Sequence, residues 1–340
     1  MPAALIIGSD RPEALEMSYS RAFNELGWQV ERWNPAGALA NVVRGGRMGR
    51  LLASFVNVEP WKRKANVELL QLAERLKPDL VLVVAAEGLR AGTLGQVRVL
   101  LPAAFVCAAY PDSPHSLDAE RIACLSICDR VGVSSPAWVA SFRKLLDTDV
   151  VYLPFAADTT LYRSTAADAP APIQWDVGFV GTWRPERESL LESLAGFNSR
   201  VWGSPYWKSR TRPEGKVRGM WAGREAIGTE VADICARTAI MLNILDPITW
   251  PGPNMRSFEL PVCGAFALSS RSEAILEIFQ EGVSIECFAS AAEAGDKVRY
   301  YLSQPDARLR IARAAHEIVV RGGHTYLDRA RTIASWADRR

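Results

Sequence analysis

Short apolar runs recur along the chain, separated by stretches of helical period. The first run, residues 3–8, closes on Gly8-Ser9-Asp10. A helical pattern over 12–26 then leads to a second strand over 27–33. Strand, turn, helix and strand make a βαβ unit, whose crossover is right-handed. Residues 36–60 show neither period, and their Arg44, Arg47 and Arg50 read equally as a solvated face or a cleft lining. A helix over 61–76 stops at Lys77-Pro78-Asp79. The run over 80–85 is apolar throughout, as a parallel strand covered on both faces must be. A helix over 88–99, a strand over 103–108, a helix over 117–127, a strand over 130–134, a helix over 136–146 and a strand over 150–153 follow.

The stretch 158–175, rich in Ala, Thr, Asp and Pro, breaks the pattern and reads as a linker. Alternation then restarts, with strands predicted at 177–180, 200–202, 240–244, 265–268 and 284–287, and an irregular connection over 203–222. Helices over 291–303, 306–321 and 326–340 close the chain. Two runs of alternating strand and helix predict an α/β protein of two Rossmann-like domains, residues 1–157 and 176–323, with parallel sheets facing each other across a cleft. Residues 324–340 form a terminal helix of their own.

Composition narrows the function classes. With 340 residues the chain can build two cores of ordinary size, and its 49% apolar and 23% charged residues are normal for a globular protein. A formal net charge of +2 is too small to draw in a nucleic acid or a membrane through bulk electrostatics, so any anion must be recognised locally. The six cysteines form no CxxC pair and lie in apolar surroundings, which predicts reduced, buried thiols in a cytoplasmic protein. No apolar run reaches the ~18 residues a membrane span needs. The turn after the first strand is not GxGxxG, which disfavours an NAD enzyme.

In open α/β sheets, ligands bind beyond the carboxyl ends of strands. Three such places carry chemistry. Residues 250–270 read as a Pro/Gly loop, a short helix with Asn254 as N-cap, a stop at Gly264 and a buried strand. Its first turn offers free amides, the positive end of the helix dipole, Met255 and Arg256 to an anion; Glu259 falls on the same side three residues on. A cation beside a carboxylate suits the phosphate and ribose of a nucleotide, although a surface ion pair at an ordinary helix start is the plainer reading. Gly181-Thr182-Trp183-Arg184 also follows a strand. Gly181 permits close approach, Thr182 can cap, and Arg184 and Arg187 add positive charge; the plainer alternative is surface arginines paired with Glu186 and Glu188. Asn243, at another strand end, either lines the same pocket or is a buried structural amide. After the 103–108 strand, Asp112 could take a proton from an acceptor hydroxyl and His115 could hold a sugar, or both belong to a turn. Gly8, Ser9 and Asp10 are acceptor-side candidates that could also meet a donor phosphate. Asp147-Thr148-Asp149 has the DxD form of a metal site but precedes a strand instead of following one, and reads as a turn.

The block from Asn254 to Leu268, Asn-Met-Arg-Ser-Phe-Glu-Leu-Pro-Val-Cys-Gly-Ala-Phe-Ala-Leu, resembles the signature of the CgeB-like glycosyltransferases, a branch of the retaining GT-B enzymes with a family 1/4-like C-terminal domain. Asp-Val-Gly-Phe-Val-Gly-Thr-Trp-Arg from Asp176, Tyr-Leu-Pro-Phe-Ala-Ala-Asp from Tyr152, and the stretches from Tyr300 and His324 resemble the family's second-domain opening, its interdomain crossing and its C-terminal helices. The resemblance covers roughly residues 100–335. It implies a hexosyltransferase-like enzyme that moves a sugar from a UDP-, GDP- or dTDP-sugar to a hydroxyl on a glycan, protein, lipid, metabolite or modified nucleic acid, with retention, no metal and no permanently bound cofactor. Gly181, Thr182, Arg184, Arg187, Asn243, Asn254, Met255, Arg256 and Glu259 would hold the donor, and the terminal helix would return to the first domain. The family's earlier glutamate of a Glu-x7-Glu pair is Pro251 here, which leaves the sugar's contacts undefined. Two alternatives share the architecture: a non-catalytic nucleotide-sugar or glycan binder, and a sugar-nucleotide epimerase.

Overall fold

A computed structural model describes residues 1–42, 59–84, 87–163, 172–247 and 249–338. Arg44, Arg47 and Arg50, and the end of the predicted 80–85 strand, lie outside the described residues. The chain divides into two compact units: Met1–Pro154 with Tyr326–Arg340, and Phe155–Thr325.

The first unit is built on six parallel strands: β1 (Ala3–Ile7), β2 (Gln29–Trp33), β3 (Leu80–Val83), β4 (Phe105–Tyr110), β5 (Arg130–Val133) and β6 (Asp149–Tyr152), in the order β2-β1-β3-β4-β5-β6. β1, β3 and β4 are buried at every position, as continuous apolar runs require. β2 lies at the edge, and its Glu31 and Arg32 face water, where charge discourages pairing with another chain. The terminal helix Tyr326–Ala337 packs on Leu15–Glu25, with the Tyr19 and Tyr326 rings edge to face at 5.2 Å. The expected return of the last helix to the first domain is therefore present.

The second unit has five parallel strands: β7 (Trp175–Val180), β8 (Ser199–Trp202), β9 (Thr238–Asn243), β10 (Ala267–Ser270) and β11 (Glu286–Phe288), in the order β11-β10-β9-β7-β8. β10 starts two residues later than the predicted 265–268. The cause is the turn that ends the helix Arg256–Val262: Gly264 takes φ +75°, and the amides of Gly264 and Ala265 return to the carbonyls of Pro261 and Leu260. Within the 203–222 connection the chain forms two one-turn helices, Tyr206–Ser209 and Val217–Met220. All six cysteines are buried and unbridged. No helix among the described residues is long and apolar enough to cross a membrane.

Candidate functional site

In the second unit the site residues gather at the carboxyl ends of β7 and β9. The loop after β7 begins at Gly181, where a Cβ would stand 2.8 Å from the Phe179 ring, so a larger residue would have to push that ring aside. Gly181 donates its amide to Trp202 and accepts from Trp207 Nε1 at 2.8 Å, so the loop is tied to β8 and to the segment beyond it. Thr182 does not cap the following helix, Pro185–Ser193. The N-cap is Arg184, which makes no side-chain cap: Pro185 fixes the first helical position three residues beyond Thr182.

Three guanidinium groups surround these strand ends. Arg256 Nε donates to the carbonyl of Val180, the last residue of β7, at 3.3 Å. Arg187 donates to the carbonyl of Thr182 at 3.0 Å and to that of Ile244, just past β9, at 3.3 Å. Arg184 forms an ion pair with Asp246 at 3.0 Å. Arg187 is 9% exposed, and its Nε finds no hydrogen-bond partner among the described residues. Burial lowers the Arg187 pKa; Asp246 opposes that shift, while the like charges of Arg184 and Arg256 add to it. Three like charges thus lie within electrostatic reach of one another at these strand ends, two of them offset by the carboxylates of Asp246 and Glu259.

Arg256 and Glu259 are brought together, though in a different manner from the sequence reading. They close on each other as an ion pair, with the Glu259 side chain only 4% exposed. The Tyr162 ring lies 5.9 Å from the Arg256 guanidinium. Burial alone would lower the Arg256 pKa, but Glu259 and Tyr162 beside it hold it above its usual value. Asn254 caps the helix start: its Oδ1 accepts from the Ser257 amide at 3.0 Å and the Ser257 hydroxyl at 3.1 Å. Met255 occupies the N-cap position without a side-chain cap. Of the two readings of Asn243 the structure favours the buried amide: its Nδ2 donates to Ser257 Oγ at 3.0 Å and Ser269 Oγ at 3.1 Å, joining β9, β10 and the helix.

The remaining candidates belong to the first unit. Gly8-Ser9-Asp10 follows β1; the Ser9 amide donates to Glu16 Oε1 at 2.8 Å, and Asp10 accepts from Asn34 at 2.8 Å. Asp112 and His115 lie on the exposed turn after β4, where Ser113 Oγ accepts the His115 amide at 3.1 Å. Partial desolvation raises the Asp112 pKa, with Arg121 opposing and Glu87 contributing. A cavity of about 270 Å³ opens beyond β3 and β4 among Lys62, Glu87, Arg90 and Arg121. Asp149 pairs with Arg130 at 2.6 Å at the amino end of β6, opposite to where parallel sheets hold ligands. His316 meets the Pro261 carbonyl at 3.1 Å and His324 stacks on Phe258.

Sequence reasoning missed Asp246, Tyr162 and Glu16. Asp246 carried a usable signal, since it stands just beyond a strand end. Tyr162 lay in a stretch with no periodicity, and Glu16 reads as an ordinary polar position of an amphipathic helix.

Residues 184–335 match a family model described as "Glycosyl transferase-like". Among curated protein sequences nothing matches. Among solved structures the chain resembles a sucrose-phosphate synthase from Thermosynechococcus elongatus, with 13% identity, a TM-score of 0.66 and coverage of 99% of this chain and 98% of that one. It equally resembles HepE (Alr3699) from Anabaena, solved in complex with UDP-glucose, at 13% identity and TM-score 0.66 over 99% of this chain and 100% of that one. A glycosyltransferase from Rickettsia africae gives 12% identity and TM-score 0.65 over 99% and 98%. Residues 184–335 thus resemble a glycosyl transferase-like domain, and the chain as a whole has the two-domain GT-B fold of these structures.

Proposed function

We propose that the protein is a hexosyltransferase of the CgeB-like branch, moving a sugar with retention from a nucleoside-diphosphate sugar to an acceptor hydroxyl, without a metal. The observation that carries this reading is the convergence of Arg184, Arg187 and Arg256 on the carboxyl ends of β7 and β9, in a glycosyl transferase-like domain. As the glycosidic bond breaks, the leaving diphosphate gains charge. Fixed guanidinium groups and the uncapped start of Pro185–Ser193 stabilise that charge more than they stabilise the intact donor. The free Arg187 Nε donor suits a phosphate oxygen at this place. HepE's complexes with UDP-glucose and UDP support a uridine nucleotide as the first donor to try. In this reading Glu259 frames the ribose through the Arg256 pair, and Asp112, with His115 near it, receives the acceptor's proton.

A thermal-shift panel of UDP, GDP and dTDP, each with and without its hexose, tests the donor site. One nucleotide should raise the melting temperature of the wild type, and Arg184→Ala should shrink that shift by what a roughly tenfold weaker affinity gives, while leaving the unliganded melting temperature within a few degrees. An unchanged shift in the variant would sink the site. A second reading, a binder without turnover, has Pro251 at the earlier glutamate position in its favour. Release of nucleoside diphosphate on addition of acceptor separates the two.

A further inference from the structure

The connection between β8 and β9 concentrates positive charge. Residues 203–224 hold six cations, Lys208, Arg210, Arg212, Lys216, Arg218 and Arg224, and one acid, Glu214, for a net of +5. The whole chain carries +2, so all other residues together carry −3. All six cationic residues are exposed. Only Arg224 has an acidic partner, Glu230; among the described residues the other five form no ion pair. A solvated face usually interleaves both signs. This one does not.

The segment is held in a fixed shape. Glu188 accepts the Arg212 amide at 3.0 Å, and Glu192 accepts the amides of Lys216 and Val217 at 3.0 and 3.2 Å. Trp207 Nε1 donates to Gly181 and Trp221 Nε1 to Gly203, at 2.8 and 2.9 Å. These bonds fasten the backbone to the Gly181 loop and to Pro185–Ser193 while leaving the cationic ends outward. The Arg210 guanidinium lies 4.1 Å from the Tyr206 ring centroid and 5.7 Å from that of Trp183. A stacked guanidinium beside an exposed ring therefore borders Trp183, the residue before Arg184 in the chain.

We propose that residues 206–218 bind an acidic glycan, a polymer of sugar rings bearing carboxylates, and that this polymer is the acceptor class of the transferase. The identification of the acceptor rests on the function proposed above; the binding itself does not. Planar guanidinium groups match carboxylates in bidentate fashion. A single exposed tyrosine beside Arg210 offers one face to a sugar ring, whereas single-stranded nucleic acid is read on successive aromatic platforms. A membrane is disfavoured because Trp207, Val217 and Met220 are buried, which leaves the Tyr206 ring as the one fully exposed large apolar side chain of the segment, too little to anchor in hydrocarbon.

The test uses the full chain with four probes at low salt: an oligogalacturonate, a neutral dextran of equal length, single-stranded DNA of equal charge, and vesicles of equal parts phosphatidylglycerol and phosphatidylcholine. Titration calorimetry or sedimentation reads binding. Oligogalacturonate should bind and dextran should not, with the affinity falling at least tenfold on going to 0.5 M salt. The triple variant Lys208→Glu, Arg212→Glu, Lys216→Glu should lose at least tenfold in affinity while keeping the wild-type melting temperature and nucleotide-induced shift. Failure to bind oligogalacturonate, equal binding by the triple variant, or tighter binding of DNA or vesicles would overturn the proposal. A lost nucleotide shift with glycan binding intact would instead remove the donor site and spare this one.

Discussion

The first strand of each unit ends on a glycine, Gly8 after β1 and Gly181 after β7, and in each a charged side chain from the next helix turns back, buried, to hold the loop. The charge differs in sign. In the first unit Glu16, 4% exposed, accepts the Ser9 amide. In the second, Arg187 donates to the Thr182 carbonyl. A carboxylate that takes a loop amide removes a donor that an anion would need and repels the anion besides. A guanidinium that takes a loop carbonyl uses up none of the loop's amides and adds positive charge. In the proposed function the Gly181 loop takes the diphosphate, and the Gly8-Ser9-Asp10 loop, its Ser9 amide already taken by a carboxylate, is the less suited of the two to a phosphate.

The hardest way to break the second mouth is to remove Arg256. Arg256→Ala leaves Glu259 charged and buried without its partner, so unfolding in urea should show a loss of about 3–5 kcal/mol. Replacing both residues by methionine should recover most of that stability yet leave the protein blind to nucleotide. If the double variant still shifts on binding, the pair serves stability alone. The first mouth breaks by crowding. A Cβ at Gly8 would stand 2.1 Å from Glu16 Oε1, so Gly8→Ala should cost about 1–3 kcal/mol as Glu16 is forced from its place. Adding Glu16→Ala should make the double variant less destabilised than the sum of the two single changes.

A smaller effect sharpens the contrast in charge. Arg184 is 43% exposed and can be removed without opening the core. Arg184→Ala should weaken binding of the cognate nucleoside diphosphate about tenfold, one charge-assisted contact's worth, in calorimetry. The same measurement on Asp10→Ala in the first unit should show no change. Equal losses in both variants would erase the distinction between the two mouths.

How much of this was legible in the sequence depends on the range of the interaction. Continuous apolar runs located β1, β3 and β4, since burial on both faces leaves no other pattern. The Arg256–Glu259 spacing placed both residues on one side of a helix, and Asn254 was a readable cap. Their burial was not readable, because it depends on Tyr162, 94 residues away from Arg256 in sequence. The late start of β10 depends on two amides returning to carbonyls behind Gly264, and hydrophobic pattern carries no trace of that. Thr182 was misjudged as a cap because Pro185, which sets the helix start, has a stronger backbone preference than any hydroxyl near it. Glu16 escaped notice because a buried carboxylate and an exposed one look alike until the loop they hold is known.

Acidification should separate the two units most finely. Burial raises the Glu16 pKa above 4.5, with the Ser9 amide bond opposing. A raised group gives stability that is fully present below its unfolded value and is lost as pH rises through its native one, so the first unit should tighten as pH falls from 7 toward 4.5. In the second unit Arg271 joins Glu281 and Glu293 at 2.6 and 2.5 Å, and it lowers both carboxyl groups to about 2. Their contribution is complete above 4.5 and is lost between 4.5 and about 2 as the pH falls. Hydrogen exchange followed on peptides from β1 and β10, corrected for intrinsic rates, should show protection rising for β1 between pH 7 and 4.5 while β10 stays level. Below 4.5, β10 should lose protection. Glu16→Gln should flatten the β1 response and leave β10 unchanged, and Arg271→Met should move the β10 loss to higher pH. If both strands respond in parallel in the wild type, the buried carboxylate of the first unit is not a separate element, and the opposition of sign between the two glycine loops has no thermodynamic consequence.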